Sequence, residues 1–175
     1  MSERKTPRLP GPREDAEDRK AARRPKVPDL AQTEGIALRI LALRDHGEEE
    51  LRGKLRKKGA TEATIDRVIA RCRAWGYLDD ARVVAREVEL LVVDQWGPAR
   101  IRQKLVTRGL DAELVAEQLA AKATRERLRE IASSRLERRF GTSDTLDERT
   151  RARAFRHLCG RGYPPELVRE LLFRR

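Results

Sequence analysis

The stretch Leu51-Arg-Gly-Lys-Leu-Arg-Lys-Lys-Gly59 recurs twice along the chain, as Ile101-Arg-Gln-Lys-Leu-Val-Thr-Arg-Gly109 and as Ala154-Phe-Arg-His-Leu-Cys-Gly-Arg-Gly162. Each copy ends in a glycine that has a basic residue one position before it and a leucine four positions before it. The three final glycines are 50 and then 53 residues apart. A repeat of this length indicates three similar structural units in tandem.

The repeat continues beyond each glycine with apolar residues at helical spacing. They stand six and ten residues after the glycine: Ile65 and Ile69, Val115 and Leu119, Val168 and Leu172. A glycine preceded by a cation is typical of a helix C-terminus, because glycine adopts the left-handed conformation and the cation faces the negative end of the helix dipole. We therefore predict that the second helix of each unit ends at this basic residue and glycine.

Helical spacing begins after Gly35 and predicts an all-α fold, an elongated tandem array of three three-helix repeats. The predicted repeats are residues 35–79, 80–122 and 123–175. The predicted helices are 36–46, 48–58 and 61–75, then 80–95, 98–108 and 111–122, then 124–140, 149–160 and 164–173. A strand over Leu90–Val93 is the alternative, and we disfavour it because no partner strand is visible.

A second glycine marks each repeat. Gly47 and Gly97 lie 12 residues before their final glycines, whereas Gly141 lies 21 residues before Gly162. The third repeat thus has nine extra residues, and the polar composition of this stretch predicts an exposed loop insertion at 141–150. We expect Gly47 to end a helix, and Pro98, directly after Gly97, to occupy a first helical position.

Residues 1–34 differ from the rest of the chain, because they are charged, rich in proline and without apolar periodicity. They predict a disordered N-terminal tail. They hold nine basic and seven acidic residues, while the other 141 residues hold 31 basic and 22 acidic ones, so most of the net charge of +11 lies in the part predicted to fold. Such a surface attracts nucleic acid, anionic lipid or an acidic protein.

No catalytic or metal-binding motif is apparent. Cys72 and Cys159 are far apart and outside any CxxC motif, so we expect free thiols in a reducing cytoplasm, no metal and no cofactor. We interpret His46 and His157 as capping or surface residues. The pair Asp79 and Asp80 fits a helix N-cap better than a metal site. No apolar run approaches the roughly 18 residues of a membrane span, and no secretory signal is visible. We expect a cytoplasmic, non-enzymatic protein.

A second set of short motifs carries a family resemblance. The central one is Trp75-Gly-Tyr-Leu-Asp-Asp-Ala-Arg82. Before it stand Leu41-Ala-Leu-Arg44, Glu50-Leu51, Lys54-Leu55 and Lys58-Gly59; after it stand Gly97-Pro98, Ile101, Leu105, Arg108-Gly-Leu110, Leu158 and Arg161-Gly-Tyr163. In this order and spacing they resemble the RecX family of RecA regulators over residues 35–173.

The resemblance implies a curved stack of helical repeats that binds the RecA filament on single-stranded DNA and interferes with strand exchange, ATP hydrolysis and coprotease activity. We expect a monomer with no membrane partner. Candidate filament or DNA contacts are Lys54, Arg56, Lys57, Lys58, Arg100, Arg102, Lys104, Arg108, Arg151, Arg153, Arg156 and Arg161. Two alternatives remain open at this point: direct binding of DNA or RNA through a basic face, and a helical adaptor for an unrelated acidic partner.

Overall fold

The structure, a computed structural model, describes residues 27–173, and it contains only helices within that range. Unit 1 comprises α1 (Leu30–Leu43), α2 (Glu48–Lys57) and α3 (Glu62–Ala74); unit 2 comprises α4 (Asp80–Val93), α5 (Pro98–Thr107) and α6 (Ala112–Lys122); unit 3 comprises α7 (Arg125–Phe140), α8 (Glu148–Gly160) and α9 (Pro165–Phe173). A 3₁₀ turn, Ser143–Thr145, precedes α8. The predicted all-α fold of three three-helix units is confirmed, and the strand alternative at Leu90–Val93 is wrong.

Each unit has its own small hydrophobic core. The core of unit 1 runs from Ala37 to Leu78, that of unit 2 from Val83 to Leu119 and that of unit 3 from Leu128 to Leu172. The residues in the repeated apolar columns are all buried: Leu51, Leu55, Ile65, Ile69, Ile101, Leu105, Val115, Leu119, Ala154, Leu158, Val168 and Leu172. The sequence repeat is therefore a repeat of core positions.

The final glycines end the second helices as predicted. Gly59, Gly109 and Gly162 have φ values of 85°, 85° and 92°, a left-handed conformation that favours glycine. Their amide groups donate hydrogen bonds to carbonyl groups in the last helical turn, for example Gly109 N to Val106 O at 2.9 Å. These bonds satisfy carbonyls that the end of a helix otherwise leaves without partners.

The predicted tail is too long at its C-terminal end, because α1 begins at Leu30 and not after Gly35. Asp29 caps this helix: its side chain accepts a hydrogen bond from Gln32 N at 2.8 Å, and the Gln32 side chain accepts one from Asp29 N at 3.2 Å. This reciprocal capping box starts the helix in a polar stretch. Residues 1–26, and with them most of the predicted tail, lie outside the described residues.

The marker glycines and the loop insertion also need correction. Gly47 does not end a helix; it is the N-cap of α2, and Gly97 is the N-cap of α5. Gly141 instead follows the end of α7 with φ 94°. The loop predicted at 141–150 is shorter, because Asp147 caps α8 and residues 148–150 are helical. Leu146 anchors this loop in the core of unit 3.

Candidate interaction surface and the joints between units

Units 1 and 2 meet at a first joint, where Gly47 contacts the end of α5. Gly47 is buried, and a Cβ atom placed on it would lie 2.6 Å from Leu110 Cδ2. Because Gly47 has no side chain to cap α2, Asp80 of the next unit supplies the acceptor: Glu48 N donates to Asp80 Oδ1 at 3.0 Å. Its neighbour Asp79 caps α4 as predicted, accepting from Arg82 N at 2.9 Å. The acidic pair thus caps two different helices.

Ion pairs surround this first joint. The Arg108 guanidinium reaches Glu87 at 2.7 Å in its own unit and Glu50 at 3.2 Å in unit 1. Glu50 also pairs with Arg44. Burial alone would raise the pKa of Glu50, but hydrogen bonds from Arg44 and Arg108 hold that pKa below its ordinary value. Glu50 is therefore an ionised carboxylate shared by two arginines.

Units 2 and 3 meet at a second joint with the same plan but other contacts. Gly97 N donates to Arg161 O at 2.9 Å, and Ala99 N donates to Gly162 O at 3.2 Å. A Cβ atom on Gly97 would overlap the backbone of Gly162. The N-terminus of α5 is thus capped by backbone carbonyls of unit 3, where the first joint uses an aspartate side chain.

The basic residue of the second joint has no carboxylate partner among residues 27–173. Arg161 donates to the carbonyls of Gln95 and Asp94, both at 3.0 Å. Its guanidinium lies over the Trp96 ring at 3.9 Å from the centroid. Arg161 therefore binds the C-terminal end of α4 through backbone carbonyls and a cation–π contact.

The joints arrange the second helices in a row. The C-terminal end of α5 meets the N-terminus of α2, and the C-terminal end of α8 meets the N-terminus of α5. The candidate contact residues lie on or just after these three helices. The basic residues that the sequence singled out thus follow one line through the molecule.

The structure separates these candidates by exposure. Eight are exposed: Arg56, Lys57, Lys58, Arg100, Arg102, Lys104, Arg153 and Arg156. Arg108 and Arg161 are the joint residues described above, and we leave them out of the proposed surface. Lys54 and Arg151 are half-buried; Lys54 Nζ lies 2.9 Å from His46 Nε2, and Arg151 reaches Ser143 O at 3.4 Å. Of the exposed residues, Arg56 pairs with Glu62 at 2.6 Å.

His46 is a buried structural residue, with only 2% of its surface exposed. Its Nδ1–H donates to Arg44 O at 2.8 Å, so Nε2 accepts from Lys54. Burial is the main cause that lowers the pKa of His46, and the adjacent cations of Arg44 and Lys54 act in the same direction. His157 also has a lowered pKa, from burial and from Arg139, Arg135 and Arg161. Both rings are held neutral.

Within residues 27–173, no three histidine, cysteine or acidic side chains come close enough together to hold a metal ion. Cys72 is buried and Cys159 half-buried, neither is in a disulfide, and burial raises the pKa of both thiols. None of the nine described helices is long and apolar enough to cross a membrane. Two features escaped the sequence analysis: the capping of α2 by Asp80 and the contact of Trp96 with Arg161. Only the 12-residue spacing of Gly47 and Gly97 pointed to the joints.

Comparison with known proteins relates the chain to one family. The family model of the first three-helix domain of RecX matches residues 35–72. The regulatory protein RecX of Escherichia coli K12 is 36% identical over 161 residues, covering 82% of this chain and 92% of that protein. The regulatory protein RecX of Leptothrix cholodnii is 36% identical over 154 residues, covering 87% and 92%.

Solved structures share the fold. The crystal structure of RecX from Lactobacillus salivarius superimposes with a TM-score of 0.73 over 82% of this chain and 94% of that chain, at 17% identity. A crystal structure of a regulatory protein RecX gives a TM-score of 0.68 at 21% identity, over 95% of this chain and 81% of that one. These likenesses concern the fold alone, but the sequence relatives cover nearly their whole length. The chain belongs to the RecX family of regulatory proteins.

Proposed function

We propose that this protein is a non-enzymatic regulator that binds the RecA nucleoprotein filament and inhibits its ATP hydrolysis, strand exchange and coprotease activity. The observation that carries the proposal is membership of the RecX regulatory family over four-fifths of the chain. The row of second helices adds physical support, because it presents exposed cations from all three units along one line.

A row of modest contacts suits a repeating target. A filament offers the same acidic or phosphate groups at regular intervals, and units joined in one chain bind them with high effective concentration. Each exposed cation contributes little by itself, because surface ion pairs are worth at most about 1 kcal/mol. Binding therefore depends on the number of units engaged, with single-stranded DNA held inside the complex by the recombinase.

The test is the single-stranded-DNA-dependent ATPase of the cognate RecA, titrated with the full-length protein. We expect inhibition well below one copy per RecA. The double variant Arg102→Glu with Lys104→Glu reverses two exposed charges on α5 and should require roughly tenfold more protein for half-inhibition. The matched control, Arg67→Glu with Arg149→Glu, changes net charge equally at exposed positions on α3 and α8 and should inhibit like wild type.

Circular dichroism checks that both variants keep the helical content of the wild type. Equal inhibition by the two double variants and the wild type would exclude α5 as the contact surface. No inhibition by the wild type at equimolar amounts, together with no binding to the filament, would refute the proposal itself.

The net charge of +11 favours a second candidate, direct binding of DNA or RNA. A protein that binds phosphates directly should bind labelled oligothymidine without recombinase, and its affinity should fall steeply between low and moderate salt. A filament regulator should instead require RecA for retention on the same oligonucleotide. The two candidates thus differ in one pull-down experiment, performed with and without RecA.

A further inference from the structure

Unit 2 has a groove along α5 with an apolar floor and a basic rim. Its volume is about 530 Å³. The floor is formed by Leu91, Trp96 and Ile101, and the rim includes Arg100, Lys104 and Arg108. None of the described residues that line it is acidic. Four neutral or apolar groups and three cations therefore face a space that holds no internal counter-charge beyond the Glu87 and Glu50 partners of Arg108.

The same face of unit 1 is built differently. Counted back from the final glycine of the repeat, Glu50 takes the place of Arg100, and His46 takes the place of Trp96. Glu50 accepts from Arg44 and Arg108, and His46 lies against Lys54. Unit 1 thus neutralises this face with its own residues.

Unit 2 does not neutralise its face in this way. Arg100 donates to the uncharged amide of Gln103 at 2.8 Å, and neither Arg100 nor Lys104 forms an ion pair within residues 27–173. The helix α5 contains no aspartate or glutamate at all, whereas α2 begins with Glu48, Glu49 and Glu50. The groove therefore presents two cations with no carboxylate partner beside an exposed apolar floor, which an external anion with an apolar part complements.

The geometry favours an acidic peptide over nucleic acid as the occupant. The Arg161 guanidinium covers one face of Trp96 at 3.9 Å, and the other floor residues are aliphatic, so the groove lacks the exposed rings that stack bases. An aliphatic or aromatic side chain fits the floor, and flanking carboxylates match the rim.

We propose that the α5 groove binds an acidic peptide segment of a partner protein, which places one apolar side chain over Trp96 and its carboxylates on Arg100 and Lys104. This inference rests on the proposed function, to which it adds the chemistry of the partner segment. Its test contains no recombinase and no ATPase readout, so its failure and a failure of the proposed function are separate results.

The experiment measures fluorescence anisotropy of a short fluorescein-labelled peptide in which one phenylalanine is flanked by aspartates and glutamates, titrated with the full-length protein. A second peptide carries serine in place of phenylalanine, and labelled oligothymidine is the nucleic-acid probe. The protein variants are Lys104→Glu alone, Arg100→Glu with Lys104→Glu, and the control Arg67→Glu with Arg149→Glu.

We expect the phenylalanine peptide to bind the wild type and the control alike, and to bind the double groove variant at least roughly tenfold more weakly, since two charge-assisted contacts are lost. Lys104→Glu alone, at an exposed position away from the joints, should give an intermediate loss. Equal affinity for both peptides would overturn the proposal, because the apolar floor would then be unused. So would oligothymidine binding that the groove variants abolish while peptide binding is unaffected.

Discussion

The two joints share one backbone plan and differ in what holds them. In both, a marker glycine at the start of one second helix contacts the end of the next unit's second helix, at Gly47 and at Gly97. The first joint is held by carboxylates, with Arg108 between Glu50 and Glu87. The second is held by backbone carbonyls, with Arg161 bound to Gln95 O and Asp94 O.

The difference shows that geometry and energy are encoded separately. The glycines allow the close approach, and they recur because the approach recurs. The surrounding residues then decide whether salt or packing controls the joint, since exposed ion pairs weaken with ionic strength and backbone hydrogen bonds do so much less. Unit 3 supports this interpretation: no further unit docks on α8 within the described chain, and Asp147 caps that helix in place of a glycine.

The largest expected effect separates the two marker glycines. Gly97→Ala places a Cβ atom into the Gly162 backbone, which cannot move aside, whereas Gly47→Ala meets the end of the flexible Leu110 side chain. We expect Gly97→Ala to lower the free energy of unfolding by about 3 kcal/mol, the upper end of common overpacking costs, and Gly47→Ala by about 1 kcal/mol. Urea denaturation of both variants measures this, and equal losses would contradict the assignment of backbone contact to the second joint alone.

A smaller effect distinguishes the joint arginines. Arg108→Met leaves Glu87 without this partner and removes one of two arginines from Glu50, so we expect a loss of about 2 kcal/mol that shrinks in high salt. Arg161→Met exposes carbonyls at the end of α4 and should cost about 1–2 kcal/mol independently of salt. Thermal unfolding of both variants at low and high sodium chloride gives the comparison. A salt-independent loss for Arg108→Met would show that its ion pairs contribute nothing.

The cap supplied across the first joint should have a still smaller effect. Asp80→Ala removes the acceptor for Glu48 N and should cost about 1 kcal/mol, as loss of an N-cap usually does. Burial raises the pKa of Asp80, so Asp80→Asn keeps the acceptor without the charge and should be nearly neutral. Urea denaturation compares these variants, with Asp79→Ala as the cap within a single unit. A loss for Asp80→Asn equal to that for Asp80→Ala would mean that the charge is essential.

Periodicity and spacing predicted most of the fold, because a helical repeat buries the same columns in every copy. Leu55, Leu105 and Leu158 are fully buried as their shared column indicates. Helix boundaries were harder to predict where capping overrides composition, as at Asp29, or where the chain turns early, as after Leu43.

The joints could not be predicted in the same way, since they depend on contacts between residues far apart in sequence. Glu48 and Asp80 are 32 residues apart, and Gln95 and Arg161 are 66 apart. Composition identifies Arg108 and Arg161 as basic residues near a helix end, but not as joint residues. The interaction surface is subject to the same limit, because an exposed cation and a joint cation have the same sequence signature.

The smallest expected effect is a dependence of stability on pH, through one histidine near each joint. The pKa of His46 and that of His157 are lowered in the folded protein, mainly by burial. Their neutral forms therefore stabilise the fold above their unfolded pKa of about 6.5, and this contribution is lost as the pH falls from there through the folded pKa. Urea denaturation at about pH 7.5 and about pH 5.5 should show the loss, because paired carboxylates such as Glu50 respond mainly at lower pH. His46→Gln and His157→Gln should each reduce this slope, and an unchanged slope in either variant would assign the pH dependence to the other joint.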